Sequence, residues 1–216
     1  SQSFNQEYSD ALTPGPHSGC HCCCYNLHMG WPKFVQNAWM ATADGGLAAL
    51  LYGPTEVRTR VGTNEVTIAA ASNYPFEETI DFSLQLARST EFPLHLRIPG
   101  WCARPTVKIN GTAQTGVKPG SFFVIKRPWQ NGDRVSLEFP MDISTRIGVL
   151  RTVSVERGPL VYALKIGEKT TPLNQEPSGF ADLKCEPTTP WNYGLVVDQA
   201  NPANSFNLTR KAMPSN

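Results

Sequence analysis

The sequence has no long apolar run. None approaches the ~18 residues that a membrane-crossing helix needs, so no membrane span is expected and no membrane partner. Charge is sparse and balanced: 19 Lys and Arg stand against 18 Asp and Glu, a formal net charge of +1. A nucleic-acid partner requires cations gathered into a stripe or patch, and no such stripe is present, so nucleic acid is excluded. No internal repeat is evident. An initiating Met and an apolar leader are both missing at Ser1, which fits a processed or a truncated start and leaves the compartment open. Two sequons, Asn110-Gly111-Thr112 and Asn207-Leu208-Thr209, permit N-glycosylation in a secretory pathway.

Turn-forming residues are plentiful: 18 Pro and 17 Gly in 216 residues, falling between short apolar stretches. That is the punctuation of a strand-and-turn protein. Leu27, Trp31, Phe34, Val35 and Ala38 recur at helical spacing, with Pro32 tolerable in a first turn, so one helix is predicted at about 31–42. Asp44-Gly45-Gly46 supplies its stop. From residue 47 the period becomes two. Ile80, Phe82, Leu84 and Leu86 alternate with polar residues, as do Leu94, Leu96 and Ile98, and Val135, Leu137 and Phe139. Each pattern is a strand with one face in a core and one in water. Further strands are predicted at 47–52, 66–71, 107–109, 121–126, 153–156 and 160–164, with a last short one at 195–197 in an otherwise irregular tail. Asn110-Gly111 is a hairpin signal, and Asn131-Gly132-Asp133 reads as a second turn of this kind. Connections this short cannot hold the crossover helices of a parallel sheet, so antiparallel sandwiches are expected.

Six cysteines are unevenly spread. Cys20, Cys22, Cys23 and Cys24 lie within five residues, while Cys102 and Cys185 stand alone. A disulfide framework spaces its cysteines to reach distant partners; a tight cluster reads as metal binding or reactive thiol chemistry. Thiolates are good zinc ligands, and Cys20, Cys24, His17 and His21 are local candidates to complete a site with Cys22 and Cys23. A cysteine beside a cation can also act as a nucleophile. The plainer alternatives are a structural zinc or disulfide knot, and thiols buried as small hydrophobes.

The stretch Cys22-Cys23-Cys24-Tyr25-Asn26-Leu27-His28-Met29-Gly30-Trp31-Pro32-Lys33-Phe34 resembles the segment Cys-Cys-Thr-Ala-Asn-Met-His-Gln-Gly-Trp-Pro-Lys-Phe of glycoside hydrolase family 127, the β-L-arabinofuranosidase type. The paired cysteines, Asn26, His28 and the run from Gly30 to Phe34 keep register. Leu94-His95-Leu96-Arg97-Ile98-Pro99-Gly100-Trp101, Val107-Lys108-Ile109-Asn110-Gly111, Pro128-Trp129-Gln130-Asn131-Gly132-Asp133 and Glu156-Arg157-Gly158-Pro159-Leu160-Val161-Tyr162-Ala163-Leu164 are also similar to that family. The resemblance runs from about residue 17 to 166.

The resemblance implies a mainly β protein, with antiparallel β-sandwich domains following a short remnant of an (α/α)6 barrel. The boundaries it suggests are 1–45 for the barrel remnant with the cysteine cluster, 46–142 for a sandwich, and 143–216 for a second, partial sandwich with an irregular tail. It implies a retaining glycosidase with a carbohydrate substrate, Cys22 as nucleophile, and Cys22 and Cys23 as zinc ligands. A glutamate and a cysteine from upstream polypeptide complete the zinc shell in that family, and its acid/base is an upstream glutamate. Glu7, Asp10 and Asp44 are poor substitutes for those groups, so this chain alone is expected to be inactive. Cys24 and Tyr25 stand where relatives often have Thr and Ala. The alternative function is a non-catalytic carbohydrate-binding sandwich or an inactive truncated homologue. In the binding reading, exposed Trp101, Trp129, Tyr74 and Trp191 stack on sugar rings; otherwise these aromatics pack cores and seams.

Overall fold

The computed structural model describes residues 28–149, 152–173 and 183–211. The chain divides into two compact units, Ser1–Pro140 and Met141–Asn216. The architecture is mainly β, with no closed barrel among the described residues. No helix of the described residues is long and apolar enough to cross a membrane.

In the first unit a short helix, α1 (Gly30–Gln36), precedes ten strands that form two sheets. Sheet A contains, in spatial order, β1 (Trp39–Ala41), β2 (Leu47–Ala49), β6 (Thr90–Arg97) and β9 (Phe122–Trp129). Sheet B contains β3 (Thr55–Val61), β4 (Asn64–Ser72), β5 (Thr79–Leu86), β10 (Arg134–Glu138), β7 (Thr106–Ile109) and β8 (Thr112–Ala113).

Alternation decides which side chains meet. Residues two apart share a face, and cross-strand partners extend that face over the sheet. On sheet B, Ile68 lies opposite Leu84, and Phe82 opposite Ala70 and Val135; Leu137 lies opposite Ile80 and Val107. On sheet A, Leu94 lies between Leu47 and Ile125. All of these are buried, and with Phe92, Leu96, Trp129 and Phe139 they make one core. The strands read from Ile80, Leu94 and Val135 are therefore present, each facing the core as its alternation implied.

The helix, in contrast, is shorter than its periodicity predicts. It ends at Gln36, and residues 39–41 are strand β1, paired with β2. Trp39 contacts the Phe82 ring edge-on at 5.7 Å and donates from Nε1 to the Thr55 hydroxyl at 3.0 Å. Burying that indole outweighs two more helical turns. Gly45, with φ +79°, then closes the β1–β2 hairpin instead of stopping a helix.

The Asn110-Gly111 hairpin forms as expected, with φ of 49° and 82°, and joins β7 to β8. The Asn131-Gly132-Asp133 turn is not a hairpin: it carries the chain from β9 in sheet A to β10 in sheet B. It is fastened to β5 instead. Asn131 Oδ1 accepts from Leu86 N at 3.2 Å, Gly132 N donates to Leu84 O at 2.9 Å, and Leu84 N donates to Asp133 O at 2.9 Å. One pair is also parallel, β2 with β6. No crossover helix is needed, because β3, β4 and β5 make the connection through the other sheet.

The second unit holds a three-stranded antiparallel sheet of β11 (Ile143–Ile147), β12 (Val153–Arg157) and β13 (Leu160–Tyr162), and a hairpin of β14 (Glu168–Pro172) with β15 (Leu183–Pro187). That hairpin falls in the tail expected to be irregular. Residues 195–197 are not a strand. Met141 and Arg157 are the buried residues among those described in this unit.

Candidate functional site

Cys22 and Cys23 lie outside the described residues, as do Cys20, Cys24, His17, His21 and Asn26. What the structure does describe is the element that follows them. His28 and Met29 form a turn, and α1 begins at Gly30. Pro32 sits in the first turn, where its missing N–H has no helical partner to lose. Asn37 closes the helix: its Nδ2 donates to Lys33 O at 2.7 Å, and its backbone N–H to Lys33 O and Phe34 O. A turn this short is marginal by itself in water. Its anchors are the Phe34 ring, which lies beside Gly53, and Ala38, which is fully buried and accepts from Leu50 N at 2.9 Å. Trp31 packs edge-on against Phe34 at 6.0 Å but is 75% exposed. The Trp31-Pro32-Lys33-Phe34 motif thus anchors α1 to the β2–β3 connection at Gly53 through one aromatic ring, and leaves a second ring largely in solvent.

Among the described residues no three His, Cys, Asp or Glu side chains come together as a metal site. Cys102 is buried in the core with its sulfur directed at Pro140 O, 3.8 Å away, and Cys185 is exposed on β15. The segment 17–24, which the sequence offers as zinc donors through four thiols and two imidazoles, lies outside the described residues.

Asp44, considered above as a carboxylate for the site, serves the β1–β2 hairpin. Its carboxylate accepts from the Thr42 hydroxyl and pairs with His95 Nε2 at 3.0 Å. The Thr42 hydrogen bond, and then His95, hold the Asp44 carboxyl below its ordinary range. Fifty-one residues separate Asp44 from His95. No local motif announces that pair; the parallel β2–β6 register creates it.

The proposed sugar-stacking aromatics divide. Trp129 is fully buried, its Nε1 donating to Phe92 O at 2.9 Å. Trp101 is half-buried against Phe139, and Tyr74 against Tyr52. Burial raises the pKa of both tyrosines. Tyr52 donates to Arg97 O at 2.6 Å and lies under the Arg97 guanidinium. Trp129 is thus a core residue, while Trp101 and Tyr74 pack partly against the core and keep part of their surface in solvent. Trp191, in the second unit, is more than half exposed.

Comparison with known proteins agrees with this architecture. Residues 46–141 match the family model of the β-L-arabinofuranosidase GH127 middle domain. A solved GH127 β-L-arabinofuranosidase from Geobacillus stearothermophilus superposes with a TM-score of 0.60 at 32% identity, over 66% of this chain and 24% of that one. A structure described as a glycoside hydrolase superposes with a TM-score of 0.60 at 21% identity, over 83% of this chain and 35% of that one. A GH127 β-arabinofuranosidase gives 0.60 at 20% identity, over 77% and 35%. The chain thus spans between 24% and 35% of the length of these structures. No curated protein matches the sequence. The chain is GH127-like, and residues 46–141 are a domain of the kind found in the middle of β-L-arabinofuranosidases of that family.

Proposed function

We propose that this chain serves a retaining glycoside hydrolase acting on L-arabinofuranosides of plant-type glycans, with Cys22 as the nucleophile and Cys22 and Cys23 as zinc ligands. The observation that supports this reading is one of order along the chain. A Cys-Cys pair, Asn26, His28 and the Gly30–Phe34 motif run in family register directly into a GH127-type middle domain at residues 46–141.

The Cys22 sulfur attacks the anomeric carbon as the bond to the leaving oxygen breaks, and a general acid protonates that oxygen. Water then displaces the sulfur, giving up its proton to the same group, now a base. Two inversions at one carbon retain configuration. Zinc, when bound, keeps the thiols of Cys22 and Cys23 deprotonated at neutral pH. Helix α1 has a positioning role: its contacts through Phe34 and Ala38 hold the chain that leaves the cysteine pair. The general acid belongs, by the resemblance, to upstream polypeptide. The 216-residue chain alone is therefore expected to give little or no turnover.

The test uses a GH127-length enzyme bearing this segment, an aryl β-L-arabinofuranoside, and Cys22→Ala beside the parent. Loss of turnover in the variant, with stoichiometric zinc in the parent by elemental analysis, supports the reading. Undiminished turnover in the variant would refute it. So would a metal-free parent whose hydrolysis survives thiol alkylation.

A further inference from the structure

Two Asn-Gly pairs occur in the chain, Asn110-Gly111 and Asn131-Gly132. Asparagine before glycine is the dipeptide most open to self-modification, because no Cβ obstructs the glycine nitrogen. That nitrogen attacks the asparagine Cγ. The new N–Cγ bond replaces the Cγ–Nδ2 bond, and the amide leaves as ammonia with the proton of the backbone N–H. Water then opens the cyclic imide. Attack at Cγ gives aspartate; attack at the backbone carbonyl gives isoaspartate, whose main chain is longer by one methylene. Water is the one co-reactant.

The fold sets the two pairs in unequal surroundings. Asn131 Oδ1 accepts from Leu86 N, and the nitrogen that would attack, Gly132 N, donates to Leu84 O at 2.9 Å. This turn lies between buried Trp129 and buried Asp133, so freeing it means parting β5 from the crossing between the sheets. Asn110, in contrast, is at the tip of a hairpin whose second strand, β8, is two exposed residues at the edge of sheet B. A Cβ built on Gly111 would meet nothing within 4 Å, so the tip is open to water. Local opening is cheapest at such edges.

The Asn110 amide is also a clasp. Its Nδ2 donates to Asp133 Oδ1 at 2.7 Å, its Oδ1 accepts from Arg134 N at 2.8 Å, and its backbone N donates to Arg134 O at 2.9 Å. Asp133 Oδ2 accepts in turn from Gln130 N at 2.9 Å. One side chain thus ties the β7–β8 turn to the crossing from β9 to β10. Both amide atoms are engaged, so Cγ is not free to meet Gly111 N until the hairpin opens. Conversion to a carboxylate removes the donor and sets an oxygen against the buried Asp133 oxygen, where water screens poorly. Arg127 Nη2, 3.9 Å from the other Asp133 oxygen, is too far to replace the lost hydrogen bond.

We infer that Asn110-Gly111 is a site of spontaneous deamidation in the folded chain, and that its conversion irreversibly releases the clasp between the two turns. Asn131-Gly132 has the same composition and is protected by its place between the sheets.

The test ages the 216-residue chain at mildly alkaline pH, with and without urea, and maps acid and isoaspartate at each site by mass spectrometry. In the native chain Asn110 is expected to convert at least tenfold faster than Asn131, and in urea the two rates are expected to converge. A native chain in which Asn131 converts as fast as Asn110 overturns the inference. So does one in which both stay intact while both convert in urea. For the clasp, Asn110→Asp is expected to lower the urea midpoint, and the exchanged pair Asn110→Asp with Asp133→Asn to recover most of the loss, since one acid again faces one amide. An Asn110→Asp chain as stable as wild type refutes the release. Should that variant fail to fold, hydrogen exchange on the aged wild-type chain reads the same event: the Gln130 and Arg134 amides must exchange faster than before ageing, and unchanged rates count against it. These measurements involve no residue of the zinc-thiolate reading, which activity and metal content decide separately.

Discussion

Trp129 separates a structural from a sugar-binding role for the sandwich, and its replacement has a calculable cost. The indole is fully buried, tilted against Phe92 at 5.9 Å, with the Arg127 guanidinium 5.5 Å from its centroid. Its N–H donates to the Phe92 carbonyl. Trp129→Ala removes the largest buried side chain of the core and leaves a cavity, costing about 3–5 kcal/mol. Trp129→Phe keeps most of the apolar volume but withdraws the donor from a buried carbonyl, and about 1–3 kcal/mol is expected for that. Against the ~5–15 kcal/mol stability of an ordinary domain, the alanine variant has little margin and the phenylalanine variant remains folded. Urea denaturation followed by circular dichroism measures both, with the slope m expected to stay constant. Isothermal titration with arabino-oligosaccharides accompanies it. If Trp129→Phe leaves the unfolding midpoint unmoved yet weakens sugar binding, the assignment of Trp129 to the core is wrong.

Further outcomes follow from the same geometry. Gly111, at φ +82°, needs a left-handed backbone, so Gly111→Ala lowers stability by about 1–2 kcal/mol without disturbing distant residues, as denaturant midpoints and amide spectra will show. The Asp44 carboxyl is held below its ordinary value of 3.8, so folding favours its ionised form. That contribution is complete above 3.8 and is lost as pH falls through the lowered native value; the stability gap between wild type and Asp44→Asn should close over that acid window in pH-dependent melting. Timed alkylation with peptide mapping should label exposed Cys185 quickly and buried Cys102 only after unfolding.

The parts of the fold legible in the sequence are those where burial follows strict alternation. Ile80, Phe82, Leu84 and Leu86 needed no context beyond their neighbours, and Asn110-Gly111 carried its own turn chemistry. Strand β3 is weakly marked in the sequence because its outward residues, Glu56, Arg58 and Arg60, are charged and only Val57 and Val61 mark the inward face. Residues 38–41 carry a helical signal in the sequence because Ala38 and Trp39 continue the spacing of Trp31, Phe34 and Val35. Their fate is set by Phe82 and Thr55, which no local window contains. Asn131-Gly132 has hairpin composition, but Trp129 must enter the core between the sheets, so the turn serves a crossing. The cysteine pair was legible as chemistry and by resemblance, since both depend on residue type and order. The contact of Asn110 with Asp133 was not, because the pairing of β7 with β10 that brings the two turns together is invisible until the strands are registered.

The parallel pairing of Leu47–Ala49 with Leu94–Leu96 bears on biosynthesis. A nascent chain that has cleared the ribosome only through β5 has the β1–β2 ribbon in hand but no neighbour for it, and β9 is needed to cover the far side of β6. The layers therefore close late, after translation has passed Glu138, and closure waits on contacts between distant positions, which places it in the slower millisecond-to-second range of folding. Ribosome-stalled chains ending before β6 should remain protease-sensitive, and those extending past β10 should become resistant in one step.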